Sequence, residues 1–221
     1  DIRIANRIID ANQLNGISDL AIDGGYLYAF CDSPSTNGVS VYSINDPTNP
    51  VLCEYLSAAD ASYGIKSGDF LYVSANGDDR FYTIDASDPF SLTLEGNIQD
   101  GTNTDGPQKP FVSGNYAYIA SRNSDSLTIY DISTPGTPSL SGSLLDSTNL
   151  DDAFDVVVVG DTAYISSQGA DKVSLVDVSN KASPSYDSDI STNITGPRRM
   201  WFQNNRLYVA STSTDSITVI A

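Results

Sequence analysis

Residues 116–133 read YAYIASRNSDSLTIYDIS, in which two apolar segments flank a short polar one. The apolar segments, 116–120 and 127–133, alternate large apolar side chains with small or polar ones, which is typical of strands with a buried face. Serine, asparagine and aspartate occupy most of the positions between them, and these residue types favour tight turns. The stretch therefore predicts a β-hairpin.

The hairpin recurs along the chain, and a tyrosine marks the middle of its first strand in each copy. These marker residues are Tyr28, Tyr72, Tyr118, Tyr164 and Tyr208, at steps of 44, 46, 46 and 44 residues. A period in the forties with several short strands per unit indicates the blades of a β-propeller.

Each unit has room for four strands, labelled A to D from the propeller axis outwards. Strands A and B are separated by two residues that tolerate positive φ, as a primed hairpin turn requires. These pairs are Gly24-Gly25, Gly68-Asp69, Gly114-Asn115, Gly160-Asp161 and Asn204-Asn205. Proline and small polar residues follow strand C in the first four units and are expected to end it.

We predict one all-β domain over residues 1–221, a single five-bladed β-propeller of four-stranded antiparallel blades. The approximate blade ranges are 17–57, 60–98, 107–145, 153–190, and 196–221 together with 1–10. The last unit lacks a strand D, and residues 2–9 precede the first blade. We expect this N-terminal strand to pair with the C-terminal blade and close the ring, so that no incomplete blade is left exposed.

At this level of detail the chain resembles the LVIVD-repeat propellers. Their blades contain a strand like LTIYDIS (residues 127–133) followed by Pro-x-x-Pro, here Pro135 to Pro138, and residues 46–50 (DPTNP) match that continuation best. Residues 207–210 and 216–220 also resemble the YVTN-type surface propellers. The resemblance covers the whole chain and implies a β-propeller, often secreted or on a cell surface. It carries over no catalytic residue, because its motifs are structural.

The charge of the chain is strongly acidic, with 28 acidic against 11 basic residues and a net charge of −17. This argues against nucleic acid or an anionic membrane as partner, since both need a basic surface. No apolar run reaches membrane-spanning length, so we expect no membrane insertion. A start at Asp1 fits a mature product after signal-peptide removal, or equally a trimmed chain. We expect a protein that is secreted or displayed on a cell or particle surface.

The two cysteines, Cys31 and Cys53, are predicted on strands separated by a third strand. At normal strand spacing that places them roughly 9–10 Å apart, which is beyond the reach of a disulfide. We expect two half-buried free thiols.

The residue types needed for several kinds of catalysis are missing. The sequence has no histidine, which rules out Ser-His-Asp and Cys-His catalysis and imidazole–metal sites. Some five-bladed propellers are glycosidases that use inner-strand carboxylates, but Glu54 and Glu95 are predicted on outer strands. An all-aspartate site with Asp19 and Asp155 remains the enzyme hypothesis. We expect a non-enzymatic protein.

The position nine residues before each marker tyrosine is predicted where strand A enters the central channel. In blade order it holds Asp19, Tyr63, Lys109, Asp155 and Arg199. We expect Arg199 between the two aspartates and Lys109 beside Asp155. One interpretation is a self-neutralising ring of ion pairs that plugs the channel mouth. The other is a ligand pocket whose anion-binding and stacking corner consists of Arg198, Arg199 and Trp201.

Aspartates also cluster in the loops. The B–C hairpins share an aspartate seven residues after the marker tyrosine, which either caps its turn or contributes to an acidic rim. Two long D–A loops offer oxygen ligands for calcium, the one cofactor we consider, with solvated turns as the default. The hairpin aspartates are Asp79, Asp125, Asp171 and Asp215, and the calcium candidates are Asp100, Asn103, Asp105, Asp146, Asp151 and Asp152.

The functional prediction is an interaction module that presents the D–A and B–C loops of one propeller face to a partner. The partner is a protein in the leading hypothesis. The alternative is a carbohydrate-binding propeller in which Tyr63, Trp201 and rim aspartates contact a glycan. The third hypothesis is the all-aspartate glycosidase.

Overall fold

The strands predicted from the repeat are present in a computed structural model that describes residues 6–33, 35 and 37–221. In this part of the chain, nineteen strands form five antiparallel sheets, in which strands adjacent in sequence pair with one another. The sheets are the blades of a five-bladed propeller, so the predicted all-β fold is confirmed. The described residues include no helix capable of crossing a membrane.

Four blades have four strands and the fifth has three. The strands are β1 (Ile17–Asp23), β2 (Tyr26–Cys31), β3 (Gly38–Ser43) and β4 (Val51–Ser57) in blade 1; β5 (Ala61–Ser67), β6 (Phe70–Ala75), β7 (Arg80–Asp85) and β8 (Thr93–Gln99) in blade 2; β9 (Phe111–Ser113), β10 (Tyr116–Ser121), β11 (Ser126–Asp131) and β12 (Ser139–Leu145) in blade 3; β13 (Ala153–Val159), β14 (Thr162–Ser167), β15 (Lys172–Asp177) and β16 (Ser185–Ile190) in blade 4; and β17 (Pro197–Gln203), β18 (Arg206–Ser211) and β19 (Ser216–Ile220) in blade 5.

The closing strand predicted over residues 2–9 lies partly outside the described residues, which begin at Asn6. Residues 6–10 are in no strand, and Asn6 Nδ2 donates a hydrogen bond of 2.6 Å to the Thr48 carbonyl of blade 1. Within the described residues, blade 5 therefore has strands A to C only.

The A–B turns use the backbone freedom that their residue types allow. In blades 1 and 5 both turn residues have positive φ, with values of 55° and 84° at Gly24 and Gly25 and of 51° and 56° at Asn204 and Asn205. In blades 2 to 4 the glycine alone has positive φ. Both patterns suit the primed turns that match the twist of paired strands.

The core of the molecule lies between the blades. Four clusters of buried apolar residues each join one blade to the next, because a single sheet cannot cover both of its own faces. Representative members are Phe30 and Val73 between blades 1 and 2, Phe81 and Tyr130 between blades 2 and 3, Ile129 and Val156 between blades 3 and 4, and Val173 and Val209 between blades 4 and 5. In the described part of the chain, no comparable cluster joins blade 5 to blade 1.

The hairpin aspartates link neighbouring blades. Each has positive φ, between 49° and 54°, and three of them accept a backbone N–H from the D–A loop of the next blade. The bonds run from Gly106 N to Asp79 (3.0 Å), from Asp152 N to Asp125 (2.9 Å) and from Gly196 N to Asp171 (2.8 Å). We call them inter-blade staples. The capping bond is thus formed to the neighbouring blade and not within the hairpin's own turn.

The cysteines are free thiols, as predicted. Cys31 in β2 is fully buried and Cys53 in β4 is half-buried, with β3 between the two strands. Burial raises the pKa of the Cys31 thiol to about 11.

The staples provide a matched test of stability. Asp125 and Asp215 occupy the same turn position with the same φ of 49°, but among the described residues only Asp125 accepts a bond from the next blade. Alanine at either site incurs the strain of positive φ, roughly 1–2 kcal/mol. We expect Asp125→Ala to destabilise the protein by about 1–2 kcal/mol more than Asp215→Ala, because it also leaves Asp152 N unpaired. Urea unfolding of both variants measures the difference, and equal losses would contradict the role of the staple.

Candidate functional site in the central channel

Strand A has an irregular register at its start in four blades, next to the residues predicted to face the channel. The pairing of strand A with strand B shifts register immediately before Asp19, Tyr63 and Asp155, and at Arg199 in β17. Such bulges bend a strand locally and redirect its side chains. The channel contains a cavity of about 790 Å³, a size typical of small-molecule sites.

The cavity brings most of the predicted residues together. Its polar wall includes Asp19, Lys109, Asp155 and Arg199, and Trp201 lies beside them. Apolar side chains cover much of the remaining wall; among them are Ile65, Phe111, Val157, Met200 and Phe202.

Asp155 is the most deeply buried acid of the site. Its Oδ2 accepts a 2.8 Å hydrogen bond from Met200 N in blade 5, and its Oδ1 accepts a 3.1 Å bond from Val156 N. Burial raises the pKa of Asp155 to about 6, against the opposing effects of these bonds and of the positive charges of Arg199 and Lys109. A carboxyl group with this pKa can hold or release a proton near neutral pH.

Arg199 lies next to Asp155, with Nη1 3.8 Å from Oδ1. Its guanidinium group is 4.9 Å from the ring centre of Phe154 and 5.1 Å from that of Tyr63, which restricts its orientation. Nη1 is buried and has no hydrogen-bond partner in the described part of the chain. An oriented cationic donor with an unused N–H group is suited to an anionic oxygen of a ligand.

Lys109 forms its ion pair with Asp19. Lys109 Nζ lies 2.8 Å from Asp19 Oδ2, and this oxygen also accepts a 3.2 Å hydrogen bond from Gly64 N of blade 2. The expectation that Lys109 sits beside Asp155 is thus only partly met, because it pairs across the channel while still lowering the pKa of Asp155. The cavity of about 790 Å³ lies beside these two ion pairs.

Arg198 lies outside the cavity wall. Its guanidinium group packs 4.5 Å from the ring centre of Phe154, and Nε donates a 3.1 Å hydrogen bond to Gln168 Oε1. The predicted corner therefore consists of Arg199 and Trp201, with Arg198 supporting it from behind Phe154. The sequence analysis missed the support that Phe154 gives to Arg199. Phe154 is the bulged residue between Ala153 and Asp155, and the one signal in the sequence is its place directly before Asp155.

The calcium candidates are not brought together as a metal site. The carboxylate of Asp100 accepts N–H groups of Thr102 and Asn103 within its own loop, and Asp146 does the same with Thr148 and Asn149. Asp152 pairs with Arg122 at 2.5 Å, and Asp105 accepts a bond from Asn123. The side chain of Asp151 lies against Gly169. No group of three potential acidic, cysteine or histidine ligands converges among the described residues.

Comparison with protein-family models matches three segments of the chain to the LVIVD repeat. The segments are residues 65–100, 111–146 and 151–192, together more than half of the sequence. The chain belongs to the LVIVD-repeat family. No curated protein matches the sequence.

Solved structures with the same fold are more distant in sequence. A protein from Lactobacillus plantarum is 13% identical, with a TM-score of 0.76 over 93% of this chain and 70% of its own. A candidate 6-phosphogluconolactonase from Bacteroides uniformis is 15% identical, with a TM-score of 0.74 over 90% of this chain and 64% of its own. The periplasmic gluconolactonase PpgL of Pseudomonas aeruginosa is 12% identical, with a TM-score of 0.68 over 93% and 57%. The LVIVD-repeat chain thus spans less than two thirds of the length of the Bacteroides uniformis and Pseudomonas aeruginosa proteins.

These comparisons correct the expectation of a non-enzymatic protein. Two propellers from Bacteroides species and one from Pseudomonas are named as lactonases or candidate lactonases. Structures of this fold therefore include proteins named as enzymes, and the expectation of a non-enzymatic protein is wrong as an exclusion. The identities of 12–16% show the shared fold.

The raised pKa of Asp155 predicts a pH-dependent contribution to stability. A carboxyl whose pKa rises from 3.8 to about 6 on folding holds its proton more tightly in the native state. Its stabilising contribution is therefore present below pH 3.8 and is lost as the pH rises through about 6. Asp155→Asn cannot ionise. Between pH 4 and pH 7, we expect the wild type to lose on the order of 3 kcal/mol relative to this variant.

Urea unfolding at both pH values tests this expectation. In Asp155→Asn, the side-chain NH₂ group faces a backbone N–H group at every pH, which changes the stability by an amount that does not depend on pH. The readout is therefore the change in the free energy of unfolding between the two pH values, and not its absolute value. Asp161→Asn is the control, because the Asp161 side chain is 72% exposed. A difference between wild type and Asp155→Asn that does not change with pH would contradict the buried, ionisable state of Asp155.

Proposed function

We propose that the central channel binds a small anionic sugar derivative and hydrolyses its lactone. The observation that carries the proposal is the buried Asp155 carboxyl beside the oriented Arg199 guanidinium, in a cavity of about 790 Å³. The lactonase names of propellers with the same fold support the choice of reaction. Because one fold can host many activities, the residues of the channel carry the assignment.

Arg199 serves as the anion-binding group in this proposal. The rings of Tyr63 and Phe154 hold the guanidinium in place. Its Nη1 lies 3.8 Å from Asp155 Oδ1 and has no hydrogen-bond partner among the described residues, so it can donate to a ligand oxygen. During lactone hydrolysis, negative charge develops on the carbonyl oxygen. A cationic donor that is already oriented stabilises this oxyanion without reorganising.

Asp155 serves as the general base. In its ionised form it takes one proton from a water molecule whose oxygen attacks the lactone carbonyl carbon. The bond from that carbon to the ring oxygen then breaks, and the proton passes to the departing oxygen. The product is the open hydroxy acid. The two backbone N–H groups that bond Asp155 fix the orientation of the carboxylate while leaving acceptor capacity towards the channel.

Trp201 supports a carbohydrate as the ligand class. Its side chain is exposed and forms part of the cavity wall next to Arg199. A flat aromatic surface beside charged groups can pack against the apolar face of a sugar ring while the polar groups bind its substituents. A lectin-like channel that binds the open sugar acid without turnover is the second candidate on the same observation.

Hydrolysis of the 6-phosphate of glucono-1,5-lactone, followed as proton release above the spontaneous rate, tests the proposal, and the uncharged parent lactone tests whether the anion is required. We expect turnover by the wild type, and a loss of roughly 10²-fold or more in kcat for Asp155→Asn. The wild-type rate should fall at acidic pH with an apparent pKa near 6, because protonation of Asp155 removes the base.

Asp161→Asn, the same substitution at an exposed site, is the matched control and should keep its turnover. Calorimetry with the open sugar acids separates the two candidates, since binding without turnover supports the lectin-like channel. Neither binding nor turnover, or turnover that persists in Asp155→Asn, would refute the catalytic assignment.

A further inference from the structure

Three arginines surround one aromatic ring at the loop end of the channel. The guanidinium carbons of Arg122, Arg198 and Arg199 lie 5.4, 4.5 and 4.9 Å from the ring centre of Phe154. Like charges held this close repel one another unless negative charge lies nearby. The chain has only 11 basic residues, so its composition does not predict three of them around one ring.

A strand irregularity brings two consecutive arginines to the same ring. Consecutive residues of a regular strand point to opposite faces of the sheet. The pairing of β17 with β18 shifts register between Pro197 and Met200, and Arg198 and Arg199 lie in this irregular segment. Both guanidinium groups consequently reach Phe154, and of the two arginines only Arg199 lines the cavity.

The other two arginines belong to the rim formed by the D–A and B–C loops. Arg122 directly follows β10, and its Nε pairs at 2.5 Å with Oδ1 of Asp152 in a D–A loop. Arg198 Nε donates a 3.1 Å hydrogen bond to Gln168, which directly follows β14. Arg122 and Arg198 therefore lie at the loop end of the channel whose wall includes Arg199.

The negative charges near the ring do not match the three positive ones. The carboxylate of Asp152 forms two hydrogen bonds with Arg122, and Oδ1 of Asp155 lies 3.8 Å from Arg199 Nη1. Arg198 forms no ion pair with any described residue, and its one hydrogen-bond partner, Gln168, is neutral. The Nη groups of Arg198 are thus free to donate to an anion from outside the chain.

The environment of Arg198 also prepares it for an anion. The Phe154 ring and the bond to Gln168 restrict the orientation of the guanidinium group before any ligand binds. A planar guanidinium group that is already oriented loses less conformational freedom for each hydrogen bond that it forms. The nearby charge of Arg122 adds further attraction for negative charge.

We propose that Arg198, flanked by Arg122, binds a phosphate group at the loop end of the channel, so that the ligand is a phosphorylated sugar. This inference rests on the proposed function for the sugar in the cavity, and it leaves Arg199 to the reacting end of the molecule. A phosphate ester carries nearly two negative charges and three acceptor oxygens, and it can accept bonds from more than one guanidinium group. A carboxylate offers one charge and two oxygens in a single plane.

Three sugars that differ only at carbon 6 test the inference: glucose 6-phosphate, glucuronate, which has a carboxylate there, and glucose. None contains a lactone, so isothermal calorimetry measures binding without turnover. We expect glucose 6-phosphate to bind roughly 10-fold or more tightly than either of the others, the factor of a charge-assisted hydrogen bond. Inorganic phosphate should compete with it.

Substitution of Arg198 tests the residue assignment. Arg198→Gln removes the charge and should reduce the preference for glucose 6-phosphate by roughly 10-fold or more. Arg198→Lys keeps the charge without the planar fork and should give an intermediate preference. Arg206→Gln is the matched control, because Arg206 is an exposed arginine of the same blade, and it should bind like the wild type. Thermal melts of each variant distinguish loss of the site from loss of the fold.

The outcomes decide the inference separately from the proposed reaction. It is overturned if neither glucose 6-phosphate nor inorganic phosphate binds, if glucuronate binds as tightly as glucose 6-phosphate, or if both Arg198 variants keep the full preference. Lactone hydrolysis without a preference for phosphate refutes the phosphate site alone. Phosphate-dependent binding without hydrolysis refutes the proposed reaction alone.

Discussion

The packing of each blade on the next is the interaction on which the rest of this propeller depends. A blade is a twisted sheet with apolar side chains on both faces, and it cannot bury either face alone. Buried clusters at four boundaries supply that cover, and residues such as Phe81 and Tyr130 stack at 5.2 Å between neighbouring blades. Burial of one such aromatic or aliphatic side chain contributes roughly 1.5–3 kcal/mol. The stability of the fold therefore depends on the contacts between neighbouring blades and not on single blades.

The same packing builds the channel site. Asp155 belongs to blade 4, but the N–H group that fixes its carboxylate comes from Met200 in blade 5. Asp19 of blade 1 is bonded in the same way by Gly64 of blade 2. Each aspartate therefore has a structural role, joining two blades, and a chemical one, placing a carboxyl group at the axis. Burial of Asp155 at this contact between two blades also raises its pKa to about 6.

Much of the acidic composition has a local structural cause. Asp85, Asp131 and Asp177 end strand C in blades 2 to 4, and each accepts a 2.8 Å bond from the N–H group of the serine two residues later. These bonds and a hydrogen bond from the side chain of the same serine, which is the larger cause for Asp131, favour the ionised carboxylate and lower the pKa of each aspartate. Such turns are preserved above the ordinary aspartate pKa and weaken on acidification. A net charge of −17 therefore reflects, in part, a chain that ends its strands with aspartate.

The sequence by itself determined the features that depend on local backbone geometry and on the repeat. Regular spacing of the marker tyrosines set the number of blades, and Gly, Asn and Asp at the A–B turns located the hairpins, because primed turns need positive φ. The repeat also placed Asp19, Lys109, Asp155 and Arg199 at one level of the channel. Only the tertiary structure decided which of them pair. Lys109 reaches Asp19 across the axis, and Phe154 supports Arg199, because ring curvature and strand bulges, which no local pattern encodes, set the distances between residues far apart in sequence.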